Sequence, residues 1–158
     1  EVQADVAARG LQEHFTFHGA LFGPDMLAVL NSVDIGVAPD PKNPMNDIST
    51  MNKVMEYMTL GKAVVQFDLT EGRASAGDAS LYARANDPKD FAVQIARLID
   101  DPALRERMGE VGQARVQDAL SWQHSTPHLL AAYERVFDAT GGRAAGAPAS
   151  SEASGSAA

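Results

Sequence analysis

The chain has no cysteine, which excludes disulfides and thiolate zinc sites. It also lacks a basic excess. Lys and Arg number 13 against 21 Asp and Glu, for a formal net charge of -8. A broad electrostatic surface for nucleic acid or anionic membrane is excluded on that ground. A phosphate ligand would have to rely on local donors and not on the overall field. No stretch approaches the roughly 18 apolar residues of a membrane-spanning helix, and the start lacks the form of a signal peptide. No internal repeat is present. What remains is a chain of 158 residues, 45% hydrophobic, enough for one packed domain but not comfortably for two. It begins at Glu1 within an expected helix, and is expected to be a piece of something longer.

The most informative stretch runs from Asn46 to Val65. It reads as a polar loop, a short helix, a glycine stop and a buried strand. Met51, Val54, Met55 and Met58 recur at i, i+3, i+4 and i+7, an apolar stripe for burial. Ser49, Asn52, Lys53 and Glu56 keep the same spacing on another side and are all polar. One reading makes this row a site for an anionic, hydroxyl-rich ligand at a helix N-terminus. The other makes Lys53 and Glu56 a solvated i, i+3 pair, although Lys before Glu is the weaker order.

The rest of the chain alternates. Val2 to Arg9 is helical and Gly10 ends it. His14 to His18 is a short strand candidate closed by Gly19. Pro24 and Asp25 introduce a helix with Met26, Leu27 and Leu30 on its apolar face. Asp34 to Ala38 is a strand stopped at Pro39, followed by a polar loop from Asp40 to Thr50. Ala63 to Phe67 is a strand of the parallel-sheet kind, and Leu81 to Ala83 a weaker one. Asp87-Pro88 and Asp101-Pro102 are helix starts. Ser121-Trp122 and Thr126-Pro127 are two more. The tail from Gly141 is expected to be disordered, which makes 1–140 the domain and 141–158 the tail. Strands alternating with helices imply an α/β fold with a parallel sheet and right-handed crossovers. In such sheets the ligand sits beyond the carboxyl ends of the strands. The loops after Phe17, Val37 and Phe67 lie there, as does the N-terminus of the 51–60 helix.

The residues that carry a resemblance now stand together. They are His14-Phe15-Thr16-Phe17-His18-Gly19, Asp34-Ile35-Gly36-Val37-Ala38-Pro39, and Lys53-Val54-Met55-Glu56-Tyr57-Met58-Thr59-Leu60-Gly61 with Lys62-Ala63-Val64-Val65. Asp100-Asp101-Pro102, Arg107-Met108-Gly109 and Leu120-Ser121-Trp122 complete the order. From about Leu11 to Phe137 the chain resembles the C-terminal, nucleotide-sugar-binding half of retaining GT-B glycosyltransferases of family 4. The resemblance implies a partial Rossmann-like sheet with a helical C-terminal segment. Its donor would be a nucleoside-diphosphate sugar, and its acceptor a glycan, lipid or other small molecule. Neither cofactor nor metal is implied. Glu56 matches the second glutamate of the family's E-x7-E motif, which holds ribose hydroxyls. The first glutamate falls at Ile48, which cannot hydrogen-bond a sugar. Asp47 or Ser49 is the candidate replacement, and the entry from Ser49 to Lys53 is closer to a Ser-to-Lys version found in relatives. The amides around Thr50, Met51 and Asn52 match the seat of the donor's distal phosphate. Leu21 matches a position whose backbone lies near the nucleobase. The relatives place two strands, a helix and a basic pair for the diphosphate ahead of this point, and a whole acceptor-binding domain before those. The chain is therefore expected to be truncated at its N-terminal side, to have its 15–17 strand separated from the rest, and to be inactive alone. The family implies a cytoplasmic setting, with many relatives at the inner membrane surface.

Other constellations carry less. His14, His18, His124 and His128 contain one i, i+4 pair but no HExxH glutamate, so no metal site is expected. Ser121 is expected to be a helix cap, and Trp122 a core anchor. Gly72 to Gly77 lacks any phosphate-loop lysine and is expected to be an ordinary loop. Glu71 and Arg73 are expected to pair with each other. A rival to the enzyme reading is a non-catalytic α/β module acting through protein contacts. The absence of the first glutamate and of the basic pair favours it; Asn52, Lys53 and Glu56 oppose it.

Overall fold

The computed structural model describes residues 1–139. Helix α1 (Val2–Ala8) ends at Gly10, whose φ of 68° suits a residue without Cβ. Helix α2 (Gly23–Ser32) carries proline in its first turn and leads into strand β1 (Ile35–Ala38), which stops before Pro39. Helix α3 (Asn52–Thr59) connects β1 to strand β2 (Ala63–Phe67). Helix α4 (Thr70–Ala76) connects β2 to strand β3 (Ser80–Ala83). Helices α5 (Pro88–Asp100) and α6 (Pro102–Arg115) follow.

The strands lie in the order β1-β2-β3. Both pairings are parallel, with Ile35 opposite Ala63 and Val64 opposite Ser80. All five residues of β2 are buried, which explains its largely apolar sequence; the exception, Gln66, donates through Nε2 to Gly72 O at 3.4 Å. Ala63, Val65 and Phe67 pack in one core with Phe91 and Leu98 of α5 and Met108 of α6. The Phe67 and Phe91 rings meet at 4.9 Å, tilted by 60°.

Local chemistry sets the ends of these helices. Asp87 Oδ1 accepts from the amides of Lys89 at 3.0 Å and Asp90 at 3.1 Å. Asp101 Oδ1 accepts from Leu104 N at 2.8 Å. Each precedes a proline at the first helical position, as the two Asp-Pro signals predict. Helix α3 closes on Gly61 in a Schellman turn, with Lys62 N donating to Tyr57 O at 2.9 Å and Gly61 N to Met58 O at 3.0 Å. Of the apolar stripe of α3, Val54 and Met58 are fully buried, while Met51 and Met55 are half-buried. Gly36 of β1 lies flat against Tyr57, and a Cβ there would overlap the ring.

Four expectations need correction. His14 to His18 forms no strand. A 3-10 turn occupies Gln12–His14, and the extended residues after it lie outside the three-stranded sheet. An extended segment needs a neighbour to become a strand, and Phe15 and Phe17 instead stack their rings at 6.1 Å and stay about half exposed. Gly72 to Gly77 is not a loop, because most of it lies in α4. The chain has few local signals for that helix. Its first amide bonds a carboxylate 23 residues away, and its last carbonyls accept from Arg115 at 2.6 and 2.7 Å. Thr126-Pro127 does not start a helix: Pro127 lies inside α7 (Trp122–Ala139). Trp122 is no core anchor, being 67% exposed.

The chain divides into two compact units, one from Glu1 to Gln117 and one beginning at Asp118. A π-helical turn, Val116–Leu120, runs across the division. In the second unit Tyr133 and Phe137 stack at 6.3 Å along α7. No described helix is long and apolar enough to cross a membrane. The expectation of a disordered tail from Gly141 falls outside the described residues.

Candidate functional site

The carboxyl ends of three parallel strands point to one edge, and the loops leaving them are stitched together. The loop after β1 is held at Lys42. Its amide donates to Asn86 Oδ1 at 2.7 Å, and its carbonyl accepts from Asn86 Nδ2 at 3.1 Å. Asn86, in the turn after β3, has a φ of 60°, a left-handed conformation that Asn tolerates better than most residues. Its side chain thus mimics a strand neighbour for the loop. The same loop reaches α4 through Asp47. Thr70 N donates to Asp47 Oδ1 at 2.8 Å and Thr70 Oγ1 to Oδ2 at 3.1 Å. The Thr70 amide, helped by Lys42, holds the Asp47 carboxyl below the usual carboxylate range.

Every candidate side chain from the sequence has a definite place. Ser49 Oγ donates to Met45 O at 2.6 Å, closing the 3-10 turn Asn46–Ile48. Thr50 Oγ1 donates to Glu71 Oε1 at 2.8 Å, and Ser75 Oγ to the same oxygen at 2.9 Å. Met51 takes the N-cap position of α3 and offers no side-chain bond to it. The amides of Asn52 and Lys53 make no hydrogen bond within the described residues. They are the orphan donors of a helix start, which follows the loop from the carboxyl end of β1. Asn52 is exposed. Lys53 Nζ sits 2.9 Å from both oxygens of Asp40, so Lys53 and Glu56 are not an ion pair with each other. Glu56 is half-buried, one turn further along α3, and lines a cleft of about 180 Å³ with Leu27, Met55, Thr59 and Leu60. Leu21 lines a different cleft of about 560 Å³, between α1, the 16–19 segment and α2. Asp47 lines a third, of about 300 Å³, with Lys42, Asn43 and Pro44. Asp47, Thr50 and the start of α3 therefore come together, while Glu56 and Leu21 line separate clefts.

Glu71 and Arg73 do not pair with each other. Glu71 is taken by Thr50 and Ser75, and Arg73 turns to Asp68, with Nη2 at 2.9 Å from Oδ2. That bond holds the Asp68 carboxyl below its usual range. The Arg73 guanidinium also lies 4.2 Å from the centroid of the Tyr82 ring. Burial pushes the Tyr82 hydroxyl up to about 12, and the hydroxyl donates to Gly77 O at 2.7 Å. Lys42, Asp68 and Asn86 were not singled out in the sequence. The signal for Lys42 was available, because it stands four residues past the end of β1, in a loop that topology assigns to the ligand edge. Among the described residues no three His, Asp or Glu side chains form a metal-binding group.

The fold is similar to that of sucrose-phosphate synthase from Thermosynechococcus elongatus, a GT-B glycosyltransferase. The TM-score is 0.72 at 22% identity, over 87% of this chain and 34% of that one. In sequence, the chain is 26% identical over 142 residues to a 2-deoxystreptamine glucosyltransferase of Streptomyces kanamyceticus. That match covers 87% of this chain and 35% of the relative. It is 33% identical over 70 residues to a D-inositol 3-phosphate glycosyltransferase of Thermomonospora curvata, covering 44% of this chain and 16% of that enzyme. The chain thus spans about a third of the length of the first of these relatives. The pattern of the glycosyl transferases group 1 family matches residues 1–101, the stretch that holds the sheet, α3 and the loops of the ligand edge, and the chain belongs to that family.

Proposed function

We propose that this chain provides the donor side of a glycosyltransferase. It binds a nucleoside-diphosphate sugar and, in a longer protein, passes the sugar to an acceptor with retention at the anomeric carbon. The observation that carries the reading is the start of α3. It has no side-chain cap, leaves the Asn52 and Lys53 amides unbonded, and sits at the carboxyl edge of a parallel sheet. A phosphate oxygen is the natural partner for such donors. Glu56 lies one turn away on the same helix and would accept hydrogen bonds from ribose hydroxyls. The acceptor, a glycan, lipid or other small molecule, would be held by the rest of the protein. Retention follows from the resemblance to family 4 and not from any residue of this chain, that resemblance rests on the order and spacing of the motifs from His14 to Trp122, and a cytoplasmic setting rests on where nucleotide sugars occur.

The test is Glu56→Gln in the full-length enzyme. It keeps the shape and removes the charge. Donor use should weaken by about 1.5–3 kcal/mol, the worth of a charge-assisted bond. Unchanged kinetics with the nucleotide sugar would remove Glu56 from the site.

One observation favours the rival reading of a non-catalytic module. Lys42, Lys53, Arg73 and Arg84 all stand at this edge, and each is already paired with a carboxylate. A site with its cations neutralised is a poor trap for a diphosphate unless one of them can change partner.

A further inference from the structure

The geometry points to Lys42 as the cation that meets the donor's diphosphate, held in reserve by Asp47 until the ligand arrives. This deepens the donor-site reading and rests on it.

Three features single out Lys42. First, it is the most loosely held of the four edge cations. Its ammonium lies 3.2 Å from Asp47 Oδ1 and 3.5 Å from the Asp68 carbonyl oxygen. Lys53 reaches both oxygens of Asp40 at 2.9 Å. Arg73 holds Asp68 through two nitrogens, and Arg84 reaches Asp87 at 2.9 Å. A partner exchange at Lys42 therefore gives up the least.

Second, Asp47 does not depend on Lys42. Its oxygens are taken by the Thr70 amide and hydroxyl. The Thr70 amide is also the largest cause that lowers its pKa, ahead of Lys42. If Lys42 turns away, Asp47 keeps both of those bonds, so no isolated buried charge is left behind.

Third, the backbone of Lys42 is fixed while its side chain is not. Asn86 holds the amide and the carbonyl, and the side chain remains 42% exposed over a cleft of about 300 Å³. A flexible four-carbon stem on an anchored backbone suits a cation that swings between a carboxylate and a phosphate. The chain's net charge of -8 gives a diphosphate no general attraction, so one released ammonium has a large relative effect.

The experiment uses the 158-residue chain, isotopically labelled and titrated with inorganic pyrophosphate, uridine diphosphate and uridine. The readout is the shift of backbone amide resonances at Asn52 and Lys53. Pyrophosphate tests the phosphate contact whatever base the natural donor carries. The expected result is binding of pyrophosphate in roughly the millimolar range, weakened about tenfold by K42Q, the worth of one charge-assisted contact. K42R restores it, and uridine binding does not change. D47N keeps an oxygen for the Thr70 amide and loses the charge, so it tightens pyrophosphate binding several-fold. Variants are compared only where the circular dichroism spectrum matches that of the parent. If pyrophosphate shifts Asn52 and Lys53 equally in the parent and in K42Q, Lys42 is not the ligand and the donor-site reading stands. If neither pyrophosphate nor uridine diphosphate shifts them, both readings fall. If D47N weakens binding, the masking role is wrong.

Discussion

Glu56 and Lys53 stand three residues apart on one helix and do different jobs. Lys53 is committed to Asp40, which ties the start of α3 to the loop after β1. Glu56 makes no such bond and lines a cleft, so it is the residue of the two that can serve a ligand. The acidic residues of this edge also set how the fold responds to acid. The carboxyls of Asp47, Asp68 and Asp87 lie below their usual value of 3.8. In the unfolded chain these groups take up protons at higher pH than in the folded one. The unfolded state therefore binds more protons as the solution is acidified. Their contribution is complete above pH 3.8 and is lost as pH falls through the lower folded values. Urea midpoints should hold steady from neutral pH to about pH 5 and drop below pH 4. Asp68→Asn, which also uncouples Arg73, should flatten that drop. An equally steep drop in the variant would show that Asp68 does not contribute.

At the scale of elements, β1 and α3 fit each other through one missing side chain. Gly36 lets the Tyr57 ring lie against the strand. Gly36→Ala should destabilise the domain by about 1–3 kcal/mol, the cost of overpacking a filled contact, read as a lower denaturant midpoint. No change would mean that Tyr57 moves aside freely. Elements with local signals were legible in the sequence. The Asp-Pro starts of α5 and α6, the short strand β1 stopped at Pro39 and the stripe of α3 all depend on neighbours in the chain. The misses share a cause. Phe15 and Phe17 have strand composition but no neighbouring strand. Helix α4 takes its first bond from Asp47, and Gly72 in its middle is pressed against Gln66 of β2. Pro127 is the sixth residue of α7, past the first turn, so it forgoes the amide bond to Gln123 O that the helix would otherwise make, and no signal in the neighbouring residues announces that. Within the site, the polar face of α3 was readable. Asp47 meets Thr70, Glu71 meets Thr50 and Lys42 meets Asn86, each across 20 or more residues, and no local pattern encodes such pairings.

At the scale of the whole molecule, the chain carries the carboxyl edge of a parallel sheet, where we place the donor, and covers about a third of its glucosyltransferase relative. Phe15, Phe17 and Phe22 are 48%, 45% and 80% exposed within one short segment. Sugar transfer needs a second reactant held in place, and that proximity is worth up to roughly 7–11 kcal/mol. The 158-residue chain alone should therefore show no measurable donor hydrolysis in a coupled assay for released nucleoside diphosphate. Measurable turnover would mean that the chain, alone or self-associated, completes an active centre. The clip between Asn86 and Lys42 has a consequence in time as well as in space. It joins residues 44 apart, across all three strands, so it cannot form until β1, β2 and β3 have paired. Closing so long a loop is an entropic cost that only a finished sheet can offset. The ligand edge is then the last part of the domain to assemble and the first to come undone. Hydrogen exchange should report that order: the Lys42 amide should exchange by local opening, well ahead of Val64 and Val65 in the buried centre of β2.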